Sequence, residues 1–184
     1  MSGDYRDSMP VRKGRSMRYG GSAEKGGLRV NVGYFLENDI LRQEITVENV
    51  GAGCFRLLDF GIRLSCHTQF VRGGDTGREV IGHHFISGHG SHSTFYRCDG
   101  KGQILGVMPS GGSKWIHYEN EGEEKGNAVL YSLNGSVGKK RKEEGARLRA
   151  ETESVTLNPG EAYRYHGRMF FARDYEDCRR QFIR

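Results

Sequence analysis

The most constraining feature of the chain is a succession of short apolar segments of period two, each ended by a turn cluster. Leu28, Val30, Val32 and Tyr34 alternate with Arg29, Asn31 and Gly33, and after Glu37-Asn38-Asp39 the residues Leu41, Gln43, Ile45 and Val47 form a second face. Alternation puts successive side chains on opposite sides of a strand, so this pair reads as an antiparallel hairpin. Further strand signals follow at 54–58, 61–64, 94–98, 104–108, 115–118, 128–133, 146–151, 154–157, 162–165 and 169–172. Asn158-Pro159-Gly160-Glu161 is a strong turn, with Pro presetting φ at the second position and Gly supplying positive φ at the third. The 28 glycines among 184 residues, with nine Tyr and nine Phe, fit many short strands joined by tight turns. No βαβ pattern occurs, so the expected class is all-β: an antiparallel, supersandwich-like β-sandwich with a short C-terminal helix.

The helix begins at Asp174, where an Asp can cap, and it places Tyr175, Cys178 and Phe182 on one face. The expected division is a flexible N-terminal arm over 1–26, a sandwich over 27–173, and the start of a truncated linker helix over 174–184. The length suits one domain, and no stretch approaches the ~20 apolar residues of a membrane span. No export signal opens the chain, which taken alone argues for the cytoplasm.

The net charge of +5 gathers in two places: Arg12, Lys13, Arg15 and Arg18, and the run Lys139, Lys140, Arg141 and Lys142. The second is bracketed by Gly138 and Gly145 and followed by Glu143 and Glu144, so it reads as a solvated hairpin tip. No nucleic-acid motif accompanies it, and neither nucleic acid nor membrane is expected as a partner. Cys54, Cys66, Cys98 and Cys178 form no C-x-x-C pair and read as reduced, mostly buried thiols.

The segment 83–92 carries four of the seven histidines. Imidazole nitrogens suit zinc, copper or nickel, so His83, His84, His89 and His92 are a candidate metal set. Against it, His83 and His84 would point to opposite faces of a strand, and no Cys or paired carboxylate completes a site. Ser87, Ser91 and Ser93 lie beside histidines without triad logic, and no two carboxyls stand out among Glu119, Glu121, Glu123, Glu124, Asp59, Asp75 and Asp99. No catalytic residue and no cofactor is assigned. Sugar recognition needs aromatic faces and planar polar groups. Trp115, Tyr118, Tyr96 and Phe95 supply the first, and His89, Arg97 and Glu119 lie near them in sequence.

The order of the segments resembles a known arrangement. "ITVENVGAGCFRLLDFGIRL", "HHFISGHGSHSTFYRCDGKGQILGVMPSGGSKWIHYEN" and "VTLNPGEAYRYHGRMFFARDYEDCRRQF" are similar to successive parts of a bacterial and fungal family of large uncharacterised glycosidase-like proteins. The most specific pieces are Ser87-Gly88-His89-Gly90-Ser91 and Asp174-Tyr175-Glu176-Asp177, and the resemblance covers roughly 28–184. It departs around Arg63–Thr68, where a proline-rich segment is expected, and around Lys139–Lys142.

In that family a galactose-mutarotase-like supersandwich precedes a six-hairpin (α/α)6 toroid. The resemblance implies a non-catalytic lobe of a carbohydrate-active protein, with carbohydrate or the catalytic toroid as partner and the acid and base outside this chain. The family resemblance argues for export of the whole protein. The resemblance points to the Ser87–Ser91 loop as a ligand or lobe-contact surface, and with the aromatic and polar residues above the expected sugar contacts are His89, Ser91, His92, Arg97 and Trp115. The alternative is a stand-alone metal-binding β-protein using the four histidines. A third reading has no ligand and docks a partner through Tyr175, Cys178 and Phe182.

Overall fold

A computed structural model describes residues 5–13, 16–66, 74–75, 80–121, 127–145 and 152–183. The Asn38-Asp39 turn closes one hairpin of the large sheet. Both residues have positive φ (50° and 63°), the two-residue geometry whose twist matches paired strands. It joins β3 (Leu28–Glu37) to β4 (Ile40–Asn49) in unbroken register from Glu37 against Ile40 to Leu28 against Asn49.

Around that hairpin an eight-stranded sheet assembles. β1 (Tyr5–Lys13) and β2 (Ser16–Lys25) extend it beyond β3, and β13 (Ala162–Ala172) pairs with the other edge of β4. Then follow β9 (Ile104–Ser110), β8 (His92–Arg97) and β7 (Ile81–Ile86). A second layer holds β10 (His117–Glu121), β11 (Asn127–Asn134) and β6 (Asp59–Leu64) in one sheet. A two-strand ribbon pairs β5 (Phe55–Leu57) with β12 (Val155–Leu157). The all-β sandwich expected from the sequence is the fold observed.

Two apolar cores lie on opposite faces of the large sheet. Inward-pointing Ile45, Val47, Phe95, Val107 and Tyr165 meet Ile62, Ala128, Leu130 and Trp115 between the layers. A fully buried Val, Leu, Ile or Phe among them contributes about 1.5–3 kcal/mol. On the outer face Phe170 and Ala172 pack with Cys178 of α2 (Tyr175–Ile183), helped by Ile40, Ile104 and Phe182. Buried Asn49 ties β4 to the ribbon: its amide donates to the carbonyls of Gly53 (2.7 Å) and Leu157 (2.9 Å) and accepts from Gly51 N–H.

Several expectations are corrected. The arm read over 1–26 contains two paired strands; β2 passes through Gly20, Gly21, Ser22 and Ala23, where small residues leave no apolar period to read. The basic run is no hairpin tip but lies in α1 (Gly135–Glu143). Its first turn is held by Asp59, whose carboxylate accepts from the Ser136 and Val137 amides (3.0 and 3.2 Å) and from the Ser136 hydroxyl. The strand signals miss β7, Ile81–Ile86, which takes in the start of the histidine-rich segment. The stretches 162–165 and 169–172 are one strand, β13. Cys54 and Cys98 are exposed rather than buried. The strand expected at 146–151, and Glu123 and Glu124, lie outside the described residues. Among the described residues no helix is long and apolar enough to cross a membrane.

Candidate functional site

The 87–91 loop joins β7 to β8 and turns on two glycines, Gly88 (φ +89°) and Gly90 (φ +72°), in a region other residues rarely adopt. Its bonds run inward. Gly88 N–H donates to the Trp115 carbonyl (2.8 Å), and Trp115 N–H donates back to Ser91 Oγ (2.8 Å). The indole N–H reaches the Tyr165 hydroxyl at 3.0 Å, deep enough that burial pushes the Tyr165 phenol well up. Trp115 is 0% and Ser91 1% exposed. Neither offers a surface to a sugar, which corrects their assignment as contact residues. An aromatic ring in a lean core is drawn inward by its own area, and its N–H then needs an internal acceptor.

The pleat separates the histidines. His83 points inward and stacks on Tyr118 at 4.8 Å between ring centroids; burial, then neighbouring His84, lowers its pKa. His84 points outward, with Nε2 3.0 Å from the Tyr96 hydroxyl. His89 is exposed on the turn. His92 presents Nδ1 to the Gly90 carbonyl (2.9 Å), which places a proton on that nitrogen, and its ring lies 4.3 Å from that of Phe182. Among the described residues no three His, Cys, Asp or Glu side chains gather as a metal site. His92, at the start of β8 and held to the loop through the Gly90 carbonyl, thus braces α2 through Phe182. Cys178 and Phe182 are turned onto the sheet, so the expected partner face of that helix is already covered, whereas Tyr175 is 61% exposed.

The surface feature with the chemistry of sugar recognition is a cleft of about 190 Å³ on the outer face. His84 and Tyr96 form one wall with rings nearly parallel, 23° apart, and Tyr175 at the first turn of α2 stands among the lining residues. Arg97, Lys101 and Gln103 supply polar groups. Arg97 is held at 2.6 Å by Asp99, whose carboxyl is kept low chiefly by the Lys101 N–H and then by Arg97. Among the described residues no carboxylate lines the cleft, so it lacks the carboxyl pair of ordinary glycoside cleavage. Of the residues named from sequence for sugar recognition, Tyr96 and Arg97 belong to it. His84 appears in the sequence reading as a metal ligand and Tyr175 as a docking residue; their meeting depends on α2 folding back onto the sheet.

The whole sandwich has close structural counterparts. A polysaccharide lyase superimposes with a TM-score of 0.66 over 95% of this chain, at 16% identity. A GH36 alpha-galactosidase from Geobacillus stearothermophilus gives 0.53 over 93%, at 13% identity. A galactose mutarotase-like protein from Clostridium acetobutylicum gives 0.54 over 91%, at 9% identity. The fold is a galactose-mutarotase-like β-sandwich. This chain spans 26% of the lyase, 28% of the alpha-galactosidase and 66% of the mutarotase-like protein. No family model matches the sequence. No curated protein matches it either.

Proposed function

We propose that this mutarotase-like sandwich is a non-catalytic lobe of a carbohydrate-active protein, packing against a catalytic (α/α)6 toroid and holding a glycan ring weakly in the His84–Tyr96–Tyr175 cleft. The observation that carries the reading is one of proportion. Nearly all of this chain matches about a quarter of a polysaccharide lyase and of an alpha-galactosidase. The cleft supports the glycan role, because Tyr175 offers an exposed face for sugar C–H groups and Arg97, Lys101 and Gln103 offer donors for hydroxyls. The toroid rests on the motif resemblance alone. A metal role would need the histidines of 83–92 around one ion, and the pleat of β7 turns His83 and His84 to opposite faces.

The test is titration of the purified chain with a panel of neutral oligosaccharides, followed by NMR. Millimolar binding, worth about 4 kcal/mol, is expected for a preferred glycan. Tyr175→Ala should weaken it roughly tenfold, or about 1.4 kcal/mol, without changing the melting temperature. Turnover of a glycoside by the chain itself, abolished by one carboxylate substitution, would refute the non-catalytic reading. Absence of binding across the panel would refute the cleft.

A further inference from the structure

α1 has two differently charged sides. Arg141 turns to Glu119 at 2.7 Å and to Glu144 at 3.2 Å, and Lys140 also faces Glu144. Lys139 and Lys142, three residues apart and so on one helical face, border instead an open cleft of about 560 Å³ between α1 and β5. Arg56 of β5 lines it too, with Ser136 of α1, Thr152 and Leu58, 40% exposed. Three cations therefore share one hollow, and among the described residues no carboxylate lines it.

Their charges are largely uncommitted. Arg56 gives Nε and Nη2 to a neutral acceptor, Ser154 Oγ, at 3.4 and 3.2 Å. Lys142 has no carboxylate partner among the described residues. Lys139 has Glu143 at 3.9 Å, but the two side chains are 76% and 66% exposed, so water screens the pair. The Asp59 carboxylate is occupied by the first turn of α1. Like charges held together without counter-charge form a site for an anion. The hollow is built rather than incidental. Gly138 lets Thr152 approach so closely that a Cβ there would lie 2.7 Å from its methyl, and Gly135 lets α1 start against the Leu58 carbonyl.

We infer that this α1–β5 cleft is a second glycan site, selective for sugar rings that carry a carboxylate. The inference rests on the reading of the chain as a carbohydrate-active lobe and adds a substrate class, an acidic polysaccharide, at a place distinct from the Tyr175 cleft. The carboxylate would lie between Arg56 and the two lysines, with the apolar ring face over Leu58. A nucleic-acid strand fits less well, since no aromatic side chain lines the hollow for base stacking.

The experiment titrates the full chain with a tetragalacturonate, its methyl ester and inorganic sulfate at low and high salt, read by calorimetry and NMR. The uronate is expected to bind at about 50 mM salt and to weaken about tenfold at about 500 mM. The methyl ester should not bind this cleft. Lys139→Gln with Lys142→Gln, both surface changes, should cost at least tenfold, as should Arg56→Gln, while Arg179→Gln, a loss of positive charge on the exposed side of α2, leaves uronate affinity unchanged. Equal binding of the ester, sulfate binding as tightly as the uronate, or indifference to the lysine pair would each overturn the inference. If neutral glycans still bind at Tyr175 while the uronate fails, only this inference falls. If both fail, the glycan-holding part of the lobe reading falls with it.

Discussion

Replacing Ser91 with alanine removes the acceptor of the Trp115 backbone N–H at a place where water cannot substitute, since the two residues are 1% and 0% exposed. A buried donor left without a partner costs about 1–3 kcal/mol. In a chain of 184 residues each kcal/mol moves the melting temperature by about 2–4 °C, so a fall of about 2–12 °C is expected. The chain has one tryptophan, so its fluorescence reports this position directly and should shift red as Trp115 loosens. His89→Ala, two residues earlier on the exposed turn, is the control and should stay within about 0.5 kcal/mol of the parent. An unchanged melting curve for Ser91→Ala, together with lost glycan binding, would refute the bracing argument and make Ser91 a ligand contact.

Two further outcomes follow from the packing. Gly106→Ala places a Cβ 2.4 Å from the Phe170 ring, which itself lies 5.3 Å from Phe182, so it should cost about 1–3 kcal/mol and speed amide exchange in α2; unchanged exchange would count against the contact. His83 is held below its ordinary pKa of 6.5, so the unfolded chain takes up the proton more readily. Its contribution is full above about pH 6.5 and is lost as pH falls through its lower folded value. The urea midpoint should therefore drop on acidification more steeply in the parent than in His83→Phe, and parallel curves would rule the assignment out.

The parts of the fold that the sequence disclosed are those whose signal is local. β4 alternates between exposed or half-buried and buried residues along nearly its whole length, because one face alone meets the core. The Asn38-Asp39 turn carries its own geometry. α1 was hidden for the opposite reason: its cap is Asp59, 77 residues upstream of Ser136, and no reading of the helix's own residues shows it. β7 was hidden because His83 and Phe85 form its inward face, and a histidine does not register as apolar. The candidate site failed in the same way. Trp115 looked available until Tyr165, 50 residues on, supplied the partner that lets it be buried. The Tyr175 cleft needs α2 laid across the sheet, a tertiary event.

β13 has a further consequence. Between Tyr165 and Phe170 its side chains serve two cores in turn, Tyr165 and Met169 on one side and Phe170 on the other, while its backbone is paired on both edges. Such a strand has no side from which to open. It should be the last element to surrender its amide hydrogens to solvent, and peeling α2 away would release only half of what holds it. The molecule would then come apart from its margins, β1 and β7 first, with β13 and its neighbours β4 and β9 persisting as the residual folding unit.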